Sequence, residues 1–275
     1  MKIGLFGINN GIYTAPALMA LVAREAEAAG LESLWTGEHV VLPDPQVPPS
    51  PAPPQFPMLH PPAALSFLAA ITSTVKLGTG ITLIAQRNPV VLAKEMASLD
   101  VLCNGRLILG VGAGYLEPEF RALGIPFQER GPRTDESIAA MQALWNQRKP
   151  TFTGRFTNFS GIDAQPRPVQ AGGPPIVVGG ASDSALARAV RVGAGWYGFA
   201  MDVATATSTI ARLKREQQRA GRSEPLEISI TPPGRVTAEL CAAYAAIGVD
   251  RLIALLPQQD ENAARATIEG LARIA

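Results

Sequence analysis

Residues 76–111 read KLGTGITLIAQRNPVVLAKEMASLDVLCNGRLILGV, and this stretch decides the fold. Two short apolar runs, Lys76–Leu83 and Arg106–Val111, flank a longer helical pattern at Pro89–Leu102. Continuous apolar runs are typical of strands that are buried on both faces of a parallel sheet. The stretch therefore predicts a strand, a crossover helix and a second strand parallel to the first.

The same alternation extends from this unit towards both ends of the chain. The other predicted strands are Lys2–Ile8, Glu32–Gly37, Pro175–Gly179, Gly195–Ala200, Leu226–Thr231 and Asp250–Leu256. The other predicted helices are Pro16–Ala29, Pro61–Thr72, Thr134–Asn146, Ser182–Val192, Val203–Ala220, Val236–Ile247 and Glu261–Ile274. Eight strands alternating with eight helices predict an α/β protein with a (β/α)8 TIM-barrel fold, and an open doubly wound sheet is the alternative.

Capping residues predict where two of these helices begin. Thr14 precedes the first helix and is expected to be its N-cap, with Gly30 as the C-cap. Thr134, followed by two acidic residues and Ser137, is expected to open the fourth helix. Capping oxygens and negative charge both stabilise a helix N-terminus.

Two segments exceed a minimal barrel, and we expect both to belong to a single domain spanning residues 1–275. Residues 43–62 contain ten prolines and no periodicity, which predicts a long loop after the second strand. Because barrel active sites lie at the carboxyl ends of the strands, this proline-rich segment is either a lid or a passive surface loop. An insertion at about 150–171 includes the alternating stretch Thr151–Phe159, which predicts a small hairpin or cap.

Composition excludes several classes of function. The chain has 24 Lys and Arg against 23 Asp and Glu, so it lacks the basic footprint of a nucleic-acid or polybasic membrane binder. Two cysteines, Cys103 and Cys241, and two histidines, His39 and His60, are too few for a structural zinc site, and no metal is expected. Both cysteines are expected to be buried in helices. Without a secretory leader pattern or a run of about eighteen apolar residues, a cytoplasmic protein is expected.

His39, at the end of the second predicted strand, is the strongest catalytic candidate. A histidine at a barrel rim can take or give a proton near neutral pH, and the alternative is a hydrogen-bonded structural residue. The neighbouring Glu38 is expected to be solvated or structurally paired rather than to bind a substrate. His60, inside the proline-rich segment, is not expected to act in catalysis.

Glycines recur where two other predicted strands end. Gly78 and Gly80 weaken the third strand unless a ring packs against its end or a bulge relieves its curvature. Gly110, Gly112 and Gly114, around the fourth strand, do not match the spacing of a dinucleotide fingerprint. They are expected to present bare backbone to the edge of a planar cofactor.

The turn Gly179-Gly180-Ala181-Ser182 precedes a predicted helix. Free amides at a helix N-terminus bind anions, and Ser182 adds a hydroxyl group. The turn therefore predicts a phosphate site. The alternative is an ordinary turn in which Ser182 only caps the helix.

Five segments together resemble the bacterial luciferase-like superfamily: Leu34–His39, Leu77–Pro89, Asn104–Tyr115, Glu129–Asp135 and Ile176–Ser182. The resemblance spans nearly the whole chain, and its nearest branch is that of the coenzyme F420-dependent oxidoreductases. It implies a (β/α)8 barrel with an insertion region, in which a flavin or deazaflavin lies across the strand ends.

The resemblance also implies site residues. Gly80 and Ile81 match a pair joined by a non-proline cis peptide bond that supports the cofactor ring, and His39 matches a rim histidine beside the reactive ring. The residues expected to bind the cofactor are Gly80, Ile81, Gly112, Ala113, Gly114, Gly179, Gly180, Ala181 and Ser182. Tyr115 stands where some deazaflavin dehydrogenases carry an acidic residue, which argues against a sugar-phosphate dehydrogenase.

The function implied is transfer of a hydride between coenzyme F420 and a small organic substrate. An FMN-dependent luciferase-type monooxygenase is the alternative, because reduced FMN also reacts with oxygen, and a noncatalytic flavin- or deazaflavin-binding protein is the third hypothesis. Arg87, Arg130 and Arg133 are candidates to contact the anionic tail of F420. The expected partner is a small molecule, with no nucleic acid or membrane, and a homodimer is one possible assembly.

Overall fold

The computed structural model describes residues 1–274 and forms a closed parallel barrel. In chain order the strands are β1 (Lys2–Phe6), β2 (Ser33–Thr36), β3 (Lys76–Thr79), β4 (Thr82–Leu83), β5 (Leu107–Gly112), β6 (Phe152–Thr153), β7 (Asn158–Phe159), β8 (Ile176–Gly179), β9 (Gly195–Phe199), β10 (Glu227–Thr231) and β11 (Arg251–Leu255). β3 and β4 are two parts of the third barrel strand, and both pair with β5, so the sheet closes on itself. The predicted (β/α)8 TIM barrel is confirmed.

Helices surround the barrel. They are α1 (Pro16–Ala28), α2 (Pro61–Ile71), α3 (Pro89–Leu102), α4 (Glu117–Ala122), α5 (Arg130–Asn146), α6 (Asp183–Val192), α7 (Val203–Arg219), α8 (Ala238–Ala246) and α9 (Glu261–Ala272). In the insertion, β6 and β7 form an antiparallel hairpin outside the barrel, which confirms the predicted hairpin. The main apolar core lies between the barrel and the helices, and a smaller cluster around Trp35 and Tyr197 fills the barrel interior.

Three details of the helix prediction are wrong. α4 was not predicted, because its six residues are too few to show a helical period. Both predicted caps of α1 are wrong: Ala15 occupies the N-cap position while the Thr14 hydroxyl donates to the Gly11 carbonyl, and Ala29 is the C-cap, with Gly30 one residue beyond it. α5 begins at Arg130, four residues before Thr134, so the Thr134 hydroxyl donates to a carbonyl within the helix.

The two insertions are fastened in different ways. The proline-rich segment runs into α2, because its last two residues, Pro61 and Pro62, are the first two residues of that helix. Before that point Met58 forms a β-bridge to Asn10. The hairpin of the second insertion is held by Glu136, whose carboxylate accepts hydrogen bonds from the backbone amides of residues 155–157 at 2.6–2.8 Å. Both cysteines are buried and free; Cys241 lies within α8 as predicted, whereas Cys103 is the C-cap that follows α3.

A buried ion cluster closes the amino-terminal end of the barrel. The Arg251 side chain is 1% exposed and donates two hydrogen bonds of 2.8 Å to the Glu32 carboxylate. It also pairs with Glu227 and donates to the Ser229 hydroxyl. Its guanidinium lies 5.6 Å from the centre of the Trp35 ring. Arg251 and Glu227 are the first residues of β11 and β10, and Glu32 directly precedes β2, so the charged groups lie at the end opposite the strands' carboxyl termini.

The cluster makes the free energy of unfolding decrease at low pH. Burial acts to raise the pKa of Glu32, but Arg251 outweighs burial and the pKa falls to about 2. A carboxyl group whose pKa is lower in the folded state stabilises the fold above its unfolded pKa of about 4.3, and that contribution disappears as the pH falls from there towards 2. We expect Glu32 to contribute up to about 3 kcal/mol at neutral pH. Urea unfolding at pH 7, 4 and 3 measures it, and Glu32→Gln should flatten this part of the profile.

Neither a membrane span nor a metal cluster is found in residues 1–274. No helix there has the length and apolar composition that crossing a bilayer requires. Likewise, no three of the His, Cys, Asp and Glu side chains in this range are grouped so that they could hold a metal ion.

Candidate active site

The carboxyl ends of the barrel strands form an open face, which we call the barrel mouth. His39 follows β2, the Gly80–Ile81 pair lies between β3 and β4, Gly112 ends β5 and Gly179 ends β8. Parallel strands in a closed barrel bring these four points to one face. The Gly80–Ile81 peptide bond is cis, as the resemblance implies.

The Ile81 side chain connects three of these strand ends. A Cβ atom on Gly112 would overlap Ile81 Cδ1, and one on Gly179 would lie 2.7 Å from the same atom. Ile81 packs onto the cluster inside the barrel and is only partly buried. It therefore forms an apolar floor of the mouth.

The reason for the strand glycines differs from the one expected. Gly78 makes room for the Trp35 indole, and a Cβ on Gly110 would overlap the Thr79 carbonyl oxygen. At Gly114, φ is +82° and the Phe120 ring occupies the side-chain space. These glycines admit neighbouring protein atoms. Binding of a cofactor by Gly112, Ala113 and Gly114 stays a prediction.

His39 lies between an acidic and a phenolic group. Its side chain is 8% exposed, and Nδ1 lies 3.3 Å from Glu119 Oε2. Its Nε2 lies 3.3 Å from the Tyr115 hydroxyl, and the two rings meet edge to face at 5.7 Å. Tyr115 is exposed. The histidine therefore has one nitrogen in the protein interior and the other beside a solvent-accessible side chain.

Glu119 is a fully buried carboxylate with four hydrogen-bonding neighbours, His39 among them. Oε1 accepts from the backbone amides of Val40 and Val41 at 2.5 and 3.4 Å, and Oε2 accepts from Gln86 Nε2 at 2.9 Å. Burial acts to raise the pKa of Glu119, but the hydrogen bonds from His39 and Gln86 and the charge of His39 lower it overall. Glu119 is therefore ionised at neutral pH.

Glu38 and the three candidate arginines have structural partners. Glu38 pairs with Arg87 and accepts from the Leu83 amide at 2.8 Å, as expected of a structurally paired carboxylate. Burial lowers the pKa of Arg87. Arg130 stacks on the Phe127 ring at 3.8 Å, and Arg133 pairs with Glu129 at 2.9 Å. Contact between these arginines and a cofactor tail stays a prediction.

At the predicted phosphate turn, the structure shows the helix cap. Ser182 Oγ accepts from the Ala185 amide at 3.2 Å and lies 3.0 Å from the Ser184 hydroxyl. Gly180 has φ +108°, which favours glycine, and its amide donates to the Tyr197 carbonyl. None of the hydrogen bonds within residues 1–274 connects Gly180, Ala181 or Ser182 with His39. The turn and the histidine share the barrel mouth without direct contact.

Sequence reasoning missed Glu119 and Gln86. Gln86 lies in a short 3-10 helix after β4, and Glu119 lies in α4. A signal for α4 was present, since Pro118 between two glutamates is typical of a first helical turn. That signal predicts a helix start but does not predict that Glu119 reaches His39, which is 80 positions away.

The fold and the sequence are those of a family of barrel enzymes. A family model described as luciferase-like monooxygenase matches residues 8–273, and the chain belongs to this family. An uncharacterised protein of Mycobacterium tuberculosis is 30% identical over 276 residues, which cover 98% of this chain and 95% of that protein.

Two further relatives have named activities. An F420-dependent glucose-6-phosphate dehydrogenase of Kineococcus radiotolerans is 33% identical over 220 residues, covering 76% of this chain and 61% of that protein. An FMNH2-dependent dimethylsulfone monooxygenase of Pseudomonas putida is 36% identical over 113 residues, covering 40% of this chain and 31% of that protein. Among solved structures, an F420-dependent secondary alcohol dehydrogenase in complex with an F420–acetone adduct has a TM-score of 0.81 at 18% identity, covering 100% of this chain and 98% of that chain.

Proposed function

We propose that this protein is an oxidoreductase that transfers a hydride between coenzyme F420 and a small organic substrate. The observation that carries the proposal is the placement of His39 at the barrel mouth, with Nδ1 on a buried carboxylate and Nε2 beside an exposed side chain. The similarity to an F420-dependent dehydrogenase over three-quarters of the chain favours this cofactor. That relative's sugar-phosphate substrate is not expected for this chain, because the mouth carries Tyr115 after its glycines.

The residues at the mouth fit a flat ring with a phosphate chain. Ile81 supplies an apolar floor, and Gly179 leaves room for its side chain. Exposed apolar side chains also end two further strands, Phe199 on β9 and Leu255 on β11. Ser182 accepts from the Ala185 amide, and the amides before Ala185, which have no partner within the helix, suit a phosphate. Gly80, Ile81, Gly112, Ala113 and Gly114 would hold the ring, and Gly179, Gly180, Ala181 and Ser182 would hold the phosphate.

The bound deazaflavin would supply or accept the hydride. The protein's part is to manage the proton that accompanies hydride transfer and to exclude water. When a substrate alcohol becomes a carbonyl compound, His39 Nε2 would accept the hydroxyl proton, and in the reverse direction it would return that proton. The proline-rich segment begins four residues after His39, and its role as a lid stays a prediction.

An FMN-dependent monooxygenase is the second candidate. The family model and the dimethylsulfone monooxygenase favour it. Both cofactors carry a phosphate, so the turn at Gly179–Ser182 does not distinguish them. They differ beyond the phosphate, because only F420 continues into a lactyl-polyglutamate tail.

Titration of the protein with each cofactor tests the choice. We expect F420 to bind at least about tenfold more tightly than FMN, equivalent to about 1.4 kcal/mol. The affinity for F420 should fall with added salt more steeply than that for FMN, because salt screens the exposed charges of the tail. Equilibrium binding at three salt concentrations measures both. Tight FMN binding without F420 binding, together with substrate-dependent oxygen uptake, would instead identify a monooxygenase, and binding of neither would favour a noncatalytic protein.

A further inference from the structure

The hydrogen bonds around His39 define where its proton lies. An ionised carboxylate only accepts hydrogen bonds. The amides of Val40 and Val41 and the side-chain amide of Gln86 all donate to Glu119 and stabilise its ionised form, so the contact of 3.3 Å between its Oε2 and His39 Nδ1 requires a proton on Nδ1. In a neutral imidazole, Nε2 then carries the lone pair. The Tyr115 hydroxyl, 3.3 Å from Nε2, is the donor to that lone pair.

We propose that Glu119 is a positioning residue that holds His39 as the tautomer protonated on Nδ1, so that Nε2 is the proton acceptor at the barrel mouth. The inference deepens the proposed function and rests on it for the use of Nε2 in turnover. The tautomer itself follows from the contacts of the protein alone. Glu119 acts through His39 and is not expected to touch the substrate.

Glu119 is itself held in one orientation. The amides of Val40 and Val41 direct Oε1, and Gln86 directs Oε2 towards His39. Other charged groups near the pair are Arg87, which acts on Glu119, and Glu38, which Arg87 neutralises. The proton on Nδ1 is therefore set by one carboxylate, whose position is fixed by three donors other than His39.

The variant Glu119→Gln gives a sharp prediction. A glutamine side chain has the same shape, but only one of its two terminal atoms accepts hydrogen bonds. The fixed amide donors of Val40 and Val41 require the oxygen of the substituted side chain at the position of Oε1, so its NH2 group takes the position of Oε2 and donates towards His39 Nδ1. Gln86 Oε1 has no hydrogen-bond partner within residues 1–274, so rotation of its amide provides an acceptor for the second N–H. His39 must then carry its proton on Nε2.

Nuclear magnetic resonance of the histidine rings reads this directly. Long-range 1H–15N spectra of 15N-labelled protein, recorded where both histidines are neutral, separate protonated from unprotonated ring nitrogens. The chain has two histidines, and the exposed His60 serves as an internal reference. We expect wild-type His39 to be protonated on Nδ1 and Glu119→Gln to reverse this. Tyr115→Phe is the matched control: it removes the contact to Nε2 but leaves Glu119, and it should keep the wild-type tautomer.

Kinetics add a second readout. With F420 and a substrate that the wild-type protein converts, Glu119→Gln should lower kcat by about 100-fold, while KM should change by about threefold or less. This pattern is expected when a lost group assists proton transfer rather than substrate binding. A wild-type His39 protonated on Nε2, or a tautomer unchanged in Glu119→Gln, would overturn the inference. If the variant does not fold, the wild-type spectrum still tests the inference, because a proton on Nε2 of His39 would overturn it. If the tautomer reverses but wild-type protein shows no turnover with F420, the proposed function fails and the role of Glu119 stands.

Discussion

Replacing His39 with alanine is expected to lower kcat by about 10²–10⁴-fold, the range that general acid–base groups contribute. The dissociation constant of the cofactor should change by no more than about threefold, because the predicted phosphate and ring contacts lie on other strands. Steady-state kinetics and cofactor titration on the same preparation measure the two effects. Alanine leaves no proton acceptor beside Tyr115, so the loss should persist at every pH.

His60→Ala is the matched control, because it removes the second histidine from an exposed position in the proline-rich segment. Its kcat should equal that of the wild type. Equal losses of turnover and cofactor affinity in His39→Ala would assign His39 to binding rather than to proton transfer. Unchanged kinetics would remove it from the site.

The second large effect is expected at the opposite end of the barrel, on stability. Arg251→Met keeps much of the side-chain volume against Trp35 but leaves the carboxylates of Glu32 and Glu227 without their buried partner. Breaking a buried ion pair by removing one partner costs about 3–5 kcal/mol. Urea unfolding at pH 7 measures the loss. The loss should become smaller at pH 3, where protonation of the carboxyl groups relieves the uncompensated charge.

Arg219→Ala provides the comparison. Arg219 pairs with Glu216 one helical turn away, and its side chain is 80% exposed. Exposed pairs contribute about 0–1 kcal/mol, so this variant should unfold within about 1 kcal/mol of the wild type. A similar small loss in Arg251→Met would mean that the buried cluster is not a source of stability.

The order of strands and helices could be predicted because each element carries its own periodicity. Gly80–Ile81 and His39 were found by resemblance and by position after a strand. The partners of His39 could not be found this way. Glu119 reaches His39 only because a single barrel strand, made of β3 and β4, lies between β2 and β5 in the closed sheet. A local sequence pattern does not predict which strands become neighbours.

The glycines illustrate the same limit. A glycine within a strand predicts that other atoms approach its backbone closely. The prediction is confirmed at Gly110 and Gly112. The approaching atoms belong to Thr79 and Ile81, on the preceding strand of the barrel. Composition cannot distinguish a protein neighbour from a ligand, because both require the same empty volume.

The packing of Ile81 against Gly112 and Gly179 has a consequence for how the sequence can change. One isoleucine fills the space that two glycines on different strands leave, so the three positions share a single volume. A larger residue at 112 or 179 can be accommodated only together with a smaller one at 81. Homologues should therefore vary these positions as a set, and a designer who wishes to deepen the mouth has to begin with residue 81.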